Sequence, residues 1–237
     1  MEKAYKDEQK LQREYYDKTA SEYENCHCTG EETLAPLYFL KAMVERYDVK
    51  SILEVGAGTG DALIFFQKEL PKVQIVGIEP SEAMRKIGYQ KGLSKDSLID
   101  GIGENLHFEN NQFDLVVEFR SLHHVRFPEA VIKEMMRVSR KGILISDTNN
   151  FAEGNKIEVL TKIFFKTLGL WKVVDFINTK GKGYRYSEGD GVSYSYSVFN
   201  NYKLIKKQYK HIHLLNLFAD NKTPILSSTG VVIFAIN

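Results

Sequence analysis

The sequence predicts an α/β protein: a mostly parallel sheet with helices on both faces. Three observations carry this. Short apolar stretches alternate with amphipathic ones from Ser51 to Asp147, the pattern of strands joined by right-handed helical crossovers. The runs Leu115-Val116-Val117 and Ile143-Leu144-Ile145 suit central parallel strands, which are buried on both faces. The segment Gly56-Ala57-Gly58-Thr59-Gly60-Asp61 turns sharply between the first strand and its helix, because glycines let the backbone turn tightly and approach a ligand.

The elements follow in order. Leu11, Tyr15 and Tyr16 sit at helical spacing, so one or two short helices are expected before a loop near Thr29-Gly30. Leu37, Leu40, Met43, Val44 and Tyr47 mark an amphipathic helix over Leu34 to Tyr47. Strands are expected at Ser51 to Val55, Val73 to Ile78, Ser97 to Ile102, Phe113 to Phe119 and Gly142 to Ser146. The helices between them are Asp61 to Leu70, a Ser81-capped helix through Tyr89, and Pro128 to Ser139. After Asp147 the rhythm breaks. Lys156 to Leu168 reads as a helix, Trp171 to Ile177 as helix or strand, and Phe199 to Tyr209 as a helix. Tyr194 to Ser197 alternates as an edge strand or a ligand-facing segment would. Strands at His211 to Phe218 and Thr229 to Ile236, joined by a turn around Asn221 and Pro224, close the chain.

The 237 residues suit one domain, without internal repeat or linker. It divides into an N-terminal helical cap (1–48), a core of alternating strands and helices (49–149), an insertion after the fifth strand (150–200) and a closing helix and strands (201–237). A net charge of +1 offers no overall field for nucleic acid or an anionic membrane, so neither is expected as a partner. No apolar run has spanning length, and the charged start lacks a signal-peptide core. A cytoplasmic protein is therefore expected. Cys26 and Cys28 flank His27, but no second pair completes a zinc site, so they read as free thiols and no metal is expected. Lys203, Lys206, Lys207 and Lys210 share one helical face, read as solvated.

Ligands in open parallel sheets bind at the carboxyl ends of the strands. Those ends supply Gly56-Ala57-Gly58, Glu79, Ile102-Gly103-Glu104, Glu118-Phe119-Arg120-Ser121 and Asp147-Thr148-Asn149. The glycine spacing is G-x-G-x-G rather than the G-x-G-x-x-G of a dinucleotide site. Glu79 lies about twenty residues beyond the turn, where an acid that accepts from ribose hydroxyls belongs. Its alternative is an exposed acid at the start of the next helix.

These residues resemble the class I S-adenosylmethionine-dependent methyltransferases. Ile52 to Gly60 is similar to their first motif, Ile75 to Met84 to the second and Gly103 to Val116 to the third. Ser121-Leu122-His123-His124-Val125 is similar to the next, and Met135 to Gly142 to the helix and strand after it. The likeness spans about Leu34 to Asn149. It implies a Rossmann-like seven-stranded sheet with its last strand antiparallel, and S-adenosyl-L-methionine as cofactor, released as S-adenosyl-L-homocysteine. By that resemblance Gly56, Ala57, Gly58 and Gly60 hold the methionine part and Glu54 receives its ammonium. Glu79 holds the ribose, while Pro80, Ser81 and Met84 flank the adenine. Gly103, Glu104 and Asn105 border its edge, and Glu118 completes the set. Many relatives carry aspartate at Ile102, which leaves Glu104, Asp100 or backbone groups to bind the adenine amino group.

The expected reaction is methyl transfer to a small molecule at oxygen or nitrogen. The alternatives are an RNA or protein methyltransferase and a non-catalytic S-adenosylmethionine-binding partner or sensor. A sulfonium is already activated, so the protein mainly aligns the reactants and excludes water. His123 and His124 are the candidate bases, with local packing as their alternative. Tyr15, Tyr16, Tyr23, Arg120, Tyr184, Tyr186 and Tyr194 are candidate acceptor contacts, since tyrosine offers an apolar face and a polar tip.

Overall fold

A computed structural model describes residues 2–27, 31–217 and 228–237. Tyr23 and Cys26 lie in the first helix, but their side chains are outside the described residues. Cys28 and the turn at Asn221 and Pro224 also lie outside them.

The strands are β1 (Ser51–Val55), β2 (Gln74–Ile78), β3 (Leu98–Ile99), β4 (Phe113–Phe119), β5 (Ser139–Thr148), β6 (Arg185–Ser187), β7 (Gly191–Ser193), β8 (His211–Asn216) and β9 (Gly230–Ile236). The helices are α1 (Glu2–His27), α2 (Glu31–Arg46), α3 (Asp61–Glu69), α4 (Glu82–Gln90), α5 (Pro128–Val138), α6 (Lys156–Thr167), α7 (Trp171–Asn178) and α8 (Tyr202–Gln208). Seven strands form one sheet in the order β3-β2-β1-β4-β5-β9-β8. β1 to β5 pair in parallel, β9 runs antiparallel to β5, and β8 antiparallel to β9. Six strands therefore point one way and the last in sequence points the other, as expected. β6 and β7 form a separate hairpin.

Alternating side chains of the central strands feed two cores. Leu53, Val55, Val116, Ile143 and Ile145 pack with Val131, Ile132 and Met135 of α5. Ile52, Leu115, Val117 and Leu144 pack with Leu40 and Val44 of α2 and Leu63 and Phe66 of α3. Both faces are covered, which explains the unbroken apolar runs.

Several elements differ from expectation. α1 is one continuous helix rather than one or two short ones. Tertiary contacts hold it: Tyr15 is buried, Arg126 Nη1 lies 2.6 Å from Glu8 Oε1, and Ser81 Oγ lies 3.0 Å from Asp17 Oδ1. β3 shrinks to Leu98–Ile99, because the chain turns away at Gly101 and brings Gly103 against Val55 and Val131. β5 runs longer, since β9 pairs with it through Thr148. Tyr194 to Tyr196 forms no strand, and the last helix starts only at Tyr202, after a 3-10 turn over Val198–Asn200. Ser197 Oγ caps that turn through the Phe199 N–H.

Strand order reverses between β1 and β4. In open α/β sheets the crevice at such a switch point binds ligands.

Candidate functional site

The glycine turn opens directly from β1. Gly56 has φ +75°, and a Cβ there would lie 2.6 Å from Ser121 Oγ, so both conformation and space demand glycine. The Gly58 N–H donates to Glu79 Oε2 at 3.0 Å, and the Ser81 N–H to Glu79 Oε1 at 2.8 Å. Glu79 is thus fixed at the rim of the turn. Burial pushes its pKa up to about 7 despite those two bonds and the charge of Arg85.

Glu54 sits beneath the turn at 4% exposure. Its Oε2 is buried with no hydrogen-bond partner among the described residues. Burial first, then the charges of Asp61 and Glu79, raise its pKa to about 8. A buried carboxylate without a donor is costly. The site therefore fits a ligand that brings a cation to Glu54 and hydroxyl donors to Glu79.

Two adjoining cavities meet at this turn. Gly56, Gly58, Tyr16, Phe119, Arg120 and His124 line both. One cavity continues along Pro80, Ser81, Met84, Ile102, Gly103 and Glu104. Between Pro80, Met84 and Ile102 the walls of this slot are apolar and suit a flat ring. The other continues past Glu54, Ala57, Tyr15 and Leu37 to His123 and Asp190.

Helix α1 roofs the slot with Tyr5, Gln9, Gln12 and Arg13, which sequence reasoning did not single out. Tyr5 OH donates to Glu104 Oε1. Residues 5, 9, 12, 13 and 16 recur on one helical face, a spacing that could have exposed them.

Several expected residues lie elsewhere. Gly60 lines neither cavity; with φ 80° it is the N-cap of α3. Asn105 is exposed. Glu118 is fully buried behind the site. There its Oε1 accepts from the Ser121 hydroxyl at 3.0 Å and the Leu122 N–H at 3.1 Å, so it shapes the turn that carries the histidines. Tyr184, Tyr186 and Tyr194 line neither cavity. Tyr194 OH donates to Glu8 Oε2 at 2.6 Å, Tyr184 packs edge-on against Tyr194, and Tyr186 packs against Tyr15 from outside. Of the tyrosine candidates described with side chains, Tyr15 and Tyr16 reach the cavity walls.

A single 3-10 turn, Leu122–His124, aims both histidines into the second cavity. Their ring centroids are 4.0 Å apart. His123 Nδ1 lies 2.7 Å from Asp147 Oδ1. Burial alone would lower its pKa, but the Asp147 charge and hydrogen bond, helped by Asp190, raise it to about 10. His124 Nδ1 lies 2.6 Å from the Val192 carbonyl, so Nδ1 carries the hydrogen and Nε2 the lone pair. Burial and the neighbouring His123 lower its pKa to about 4. Asp190 lies 3.5 Å from His124 Nε2 and 3.8 Å from His123 Nε2. Asp147 and Asp190 were not among the expected site residues. The first stood out only as a strand end, and the second is brought in by the β6–β7 hairpin.

Residues 52–142 match the family model described as "Methyltransferase domain". The chain is 33% identical over 118 residues to an uncharacterized methyltransferase of Schizosaccharomyces pombe, covering 44% of this chain and 40% of that protein. It is 35% identical over 114 residues to the demethylmenaquinone methyltransferase of Geobacillus stearothermophilus, covering 45% and 49%. The matched segment thus spans less than half the length of each relative. A Thermotoga maritima structure, described as a SAM-dependent methyltransferase and possible histamine N-methyltransferase, superposes with a TM-score of 0.58. It is 18% identical, and the superposition covers 94% of this chain and 98% of that one. Residues 52–142 thus carry a methyltransferase domain, and the sheet order and glycine-turn crevice around them are similar to those of class I S-adenosylmethionine-dependent methyltransferases.

Proposed function

We propose that the chain transfers a methyl group from S-adenosylmethionine to a small-molecule acceptor at oxygen or nitrogen, with a phenolic hydroxyl as the favoured group. The observation that carries this reading is the continuity of the two cavities around Gly56 and Gly58. One is a slot for a nucleoside; the other ends at two histidines with opposite proton affinities.

Glu54 would take the cofactor's ammonium, Glu79 its ribose hydroxyls, and the walls at Pro80, Met84 and Ile102 its adenine. When bound, the cofactor supplies a methyl group already activated on sulfur. The rest of the task is alignment and proton management. Neutral His124 holds its Nε2 lone pair toward the acceptor cavity and takes the acceptor's proton. Asp190 nearby favours the imidazolium that results. His123, held cationic by Asp147, stabilises negative charge developing on the acceptor oxygen. Two adjacent histidines driven apart in pKa divide the acid and base roles. Tyr15 and Tyr16 offer ring faces to an aromatic acceptor.

The test is transfer of radiolabelled methyl from S-adenosylmethionine to a panel of phenols, quinols and amines, with S-adenosylhomocysteine quantified. Turnover with phenols or amines supports the reading. Turnover only with RNA or a protein, or none with any acceptor despite cofactor binding, contradicts it.

A further inference from the structure

Helices α6 and α7 each present apolar side chains outward. On α6 the residues Ile157, Leu160, Phe164 and Leu168 form one stripe at helical spacing, and all four are exposed, Ile157 to 77%. Inward, buried Val159 is accompanied by two lysines. Lys162 Nζ donates to the Asn150 and Glu153 carbonyls at 2.7 and 3.0 Å. Lys166 Nζ sits 3.7 Å above the Phe151 ring and donates to Asn200 Oδ1. An Asn155–Glu158 capping box fixes the start of the helix. α7 repeats the arrangement. Val173, Phe176 and Ile177 are exposed, while buried Asp175 accepts from Arg185 and Trp171 Nε1 donates to Ser195 Oγ at 3.1 Å. The inward polar bonds hold the apolar stripes outward. An apolar patch of this extent marks an interaction surface.

Charge identifies the occupant. From Glu153 to Arg185 six lysines and one arginine stand against Glu153, Glu158 and Asp175; with Lys162 and Lys166 turned inward, the outward side keeps a net of +2 in a chain whose total is +1. Lys156, Lys172, Lys180, Lys182 and Arg185 are exposed around the stripes. The whole-chain charge concealed this concentration. A second copy of the chain would bring the same positive face against it, which disfavours self-association. Apolar side chains ringed by lysines match the interface of an anionic bilayer, where the stripe sinks among the acyl chains and the ammonium groups meet phosphates. No described helix is long and apolar enough to cross a membrane, so contact would be from one side. Helices α6 and α7 follow β5, at the end of the sheet that holds the cavities. Trp171 reaches Ser195, next to Tyr194, whose N–H donates to the His123 carbonyl.

We infer that the α6–α7 face docks on an anionic lipid surface through Ile157, Leu160, Phe164, Val173, Phe176 and Ile177. This docking does not depend on the methyl-transfer reading.

The experiment is co-sedimentation of the full chain with phosphatidylglycerol–phosphatidylcholine vesicles and with phosphatidylcholine vesicles. The wild type is compared with Leu160→Ser/Phe164→Ser/Ile177→Ser and, separately, with Lys172→Glu/Lys180→Glu. Thermal melts and sedimentation velocity accompany each protein. The inference requires binding to anionic vesicles that is about tenfold weaker to neutral ones, falls with added salt, and falls at least as far in both variants while the charge-reversed one melts normally. No binding to anionic vesicles, undiminished binding by both variants, or a stable dimer that the serine variant dissociates without any vesicle binding would overturn it.

Discussion

The Asp147 carboxylate lies 2.7 Å from His123 Nδ1, and both side chains are buried. Asp147 Oδ2 also accepts from the His123 backbone N–H at 3.2 Å. The carboxylate thus fixes the ring and the turn that carries it. Its charge is what keeps His123 protonated against burial. In Asp147→Asn the His123 imidazole should titrate far below its present value of about 10, because burial then acts with little opposition. Histidine ring NMR reads that shift directly. Methyl transfer should fall about a hundredfold while affinity for S-adenosylhomocysteine holds. An unmoved titration would exclude the positioning role.

His124 is the residue assigned to take the proton. His124→Gln keeps a side chain able to reach the Val192 carbonyl but removes the basic nitrogen. We expect a loss of about 10²- to 10⁴-fold in kcat, recovered in part as pH rises and phenolic acceptors ionise unaided. A loss confined to KM would reassign His124 to acceptor binding.

Glu54 gives a pH-dependent prediction. Its folded pKa is raised to about 8 from the usual 4.5, so the unliganded protein loses stability from this group as pH climbs from about 4.5 to 8. Cofactor binding that places an ammonium against Glu54 must expel its proton. Affinity should therefore rise with pH up to about 8, by at most about tenfold per unit, with measurable proton release. Glu54→Gln removes the buried charge. It should raise the apo melting temperature at pH 8, on the order of 5 °C, and abolish the proton release. A variant less stable than wild type would show that Glu54 has a partner in the folded chain.

Much of this site was legible in the sequence, for physical reasons. Gly56, Gly58 and Glu79 announce themselves because a tight turn and an acid at the next strand end have a fixed spacing in open α/β sheets. His123 and His124 were legible as candidates, but not their opposite protonation. That depends on Asp147, one strand away, and on Val192, whose carbonyl a distant hairpin delivers. The roof of the slot was hidden because α1 is mostly polar, and its length rests on long-range contacts such as Glu8–Arg126 and Asp17–Ser81. Glu118 misled for the converse reason. It occupies a strand end, yet its bonds to Ser121 and Leu122 turn it inward. The helix over Lys156 to Leu168 was legible, but the direction its apolar stripe faces was not. Which face meets the protein was decided by Lys162 and Lys166, and periodicity carries no sign for that choice.

The most direct measurement is calorimetric titration of the wild type and Glu79→Ala with S-adenosylhomocysteine, and of the wild type with NAD. The cradle around Gly58 and Glu79 predicts saturable binding of S-adenosylhomocysteine, a loss of about 10- to 100-fold in Glu79→Ala from the missing charged hydrogen bonds, and no binding of NAD. Tight NAD binding with no heat from S-adenosylhomocysteine, or unchanged affinity in Glu79→Ala, would contradict the account.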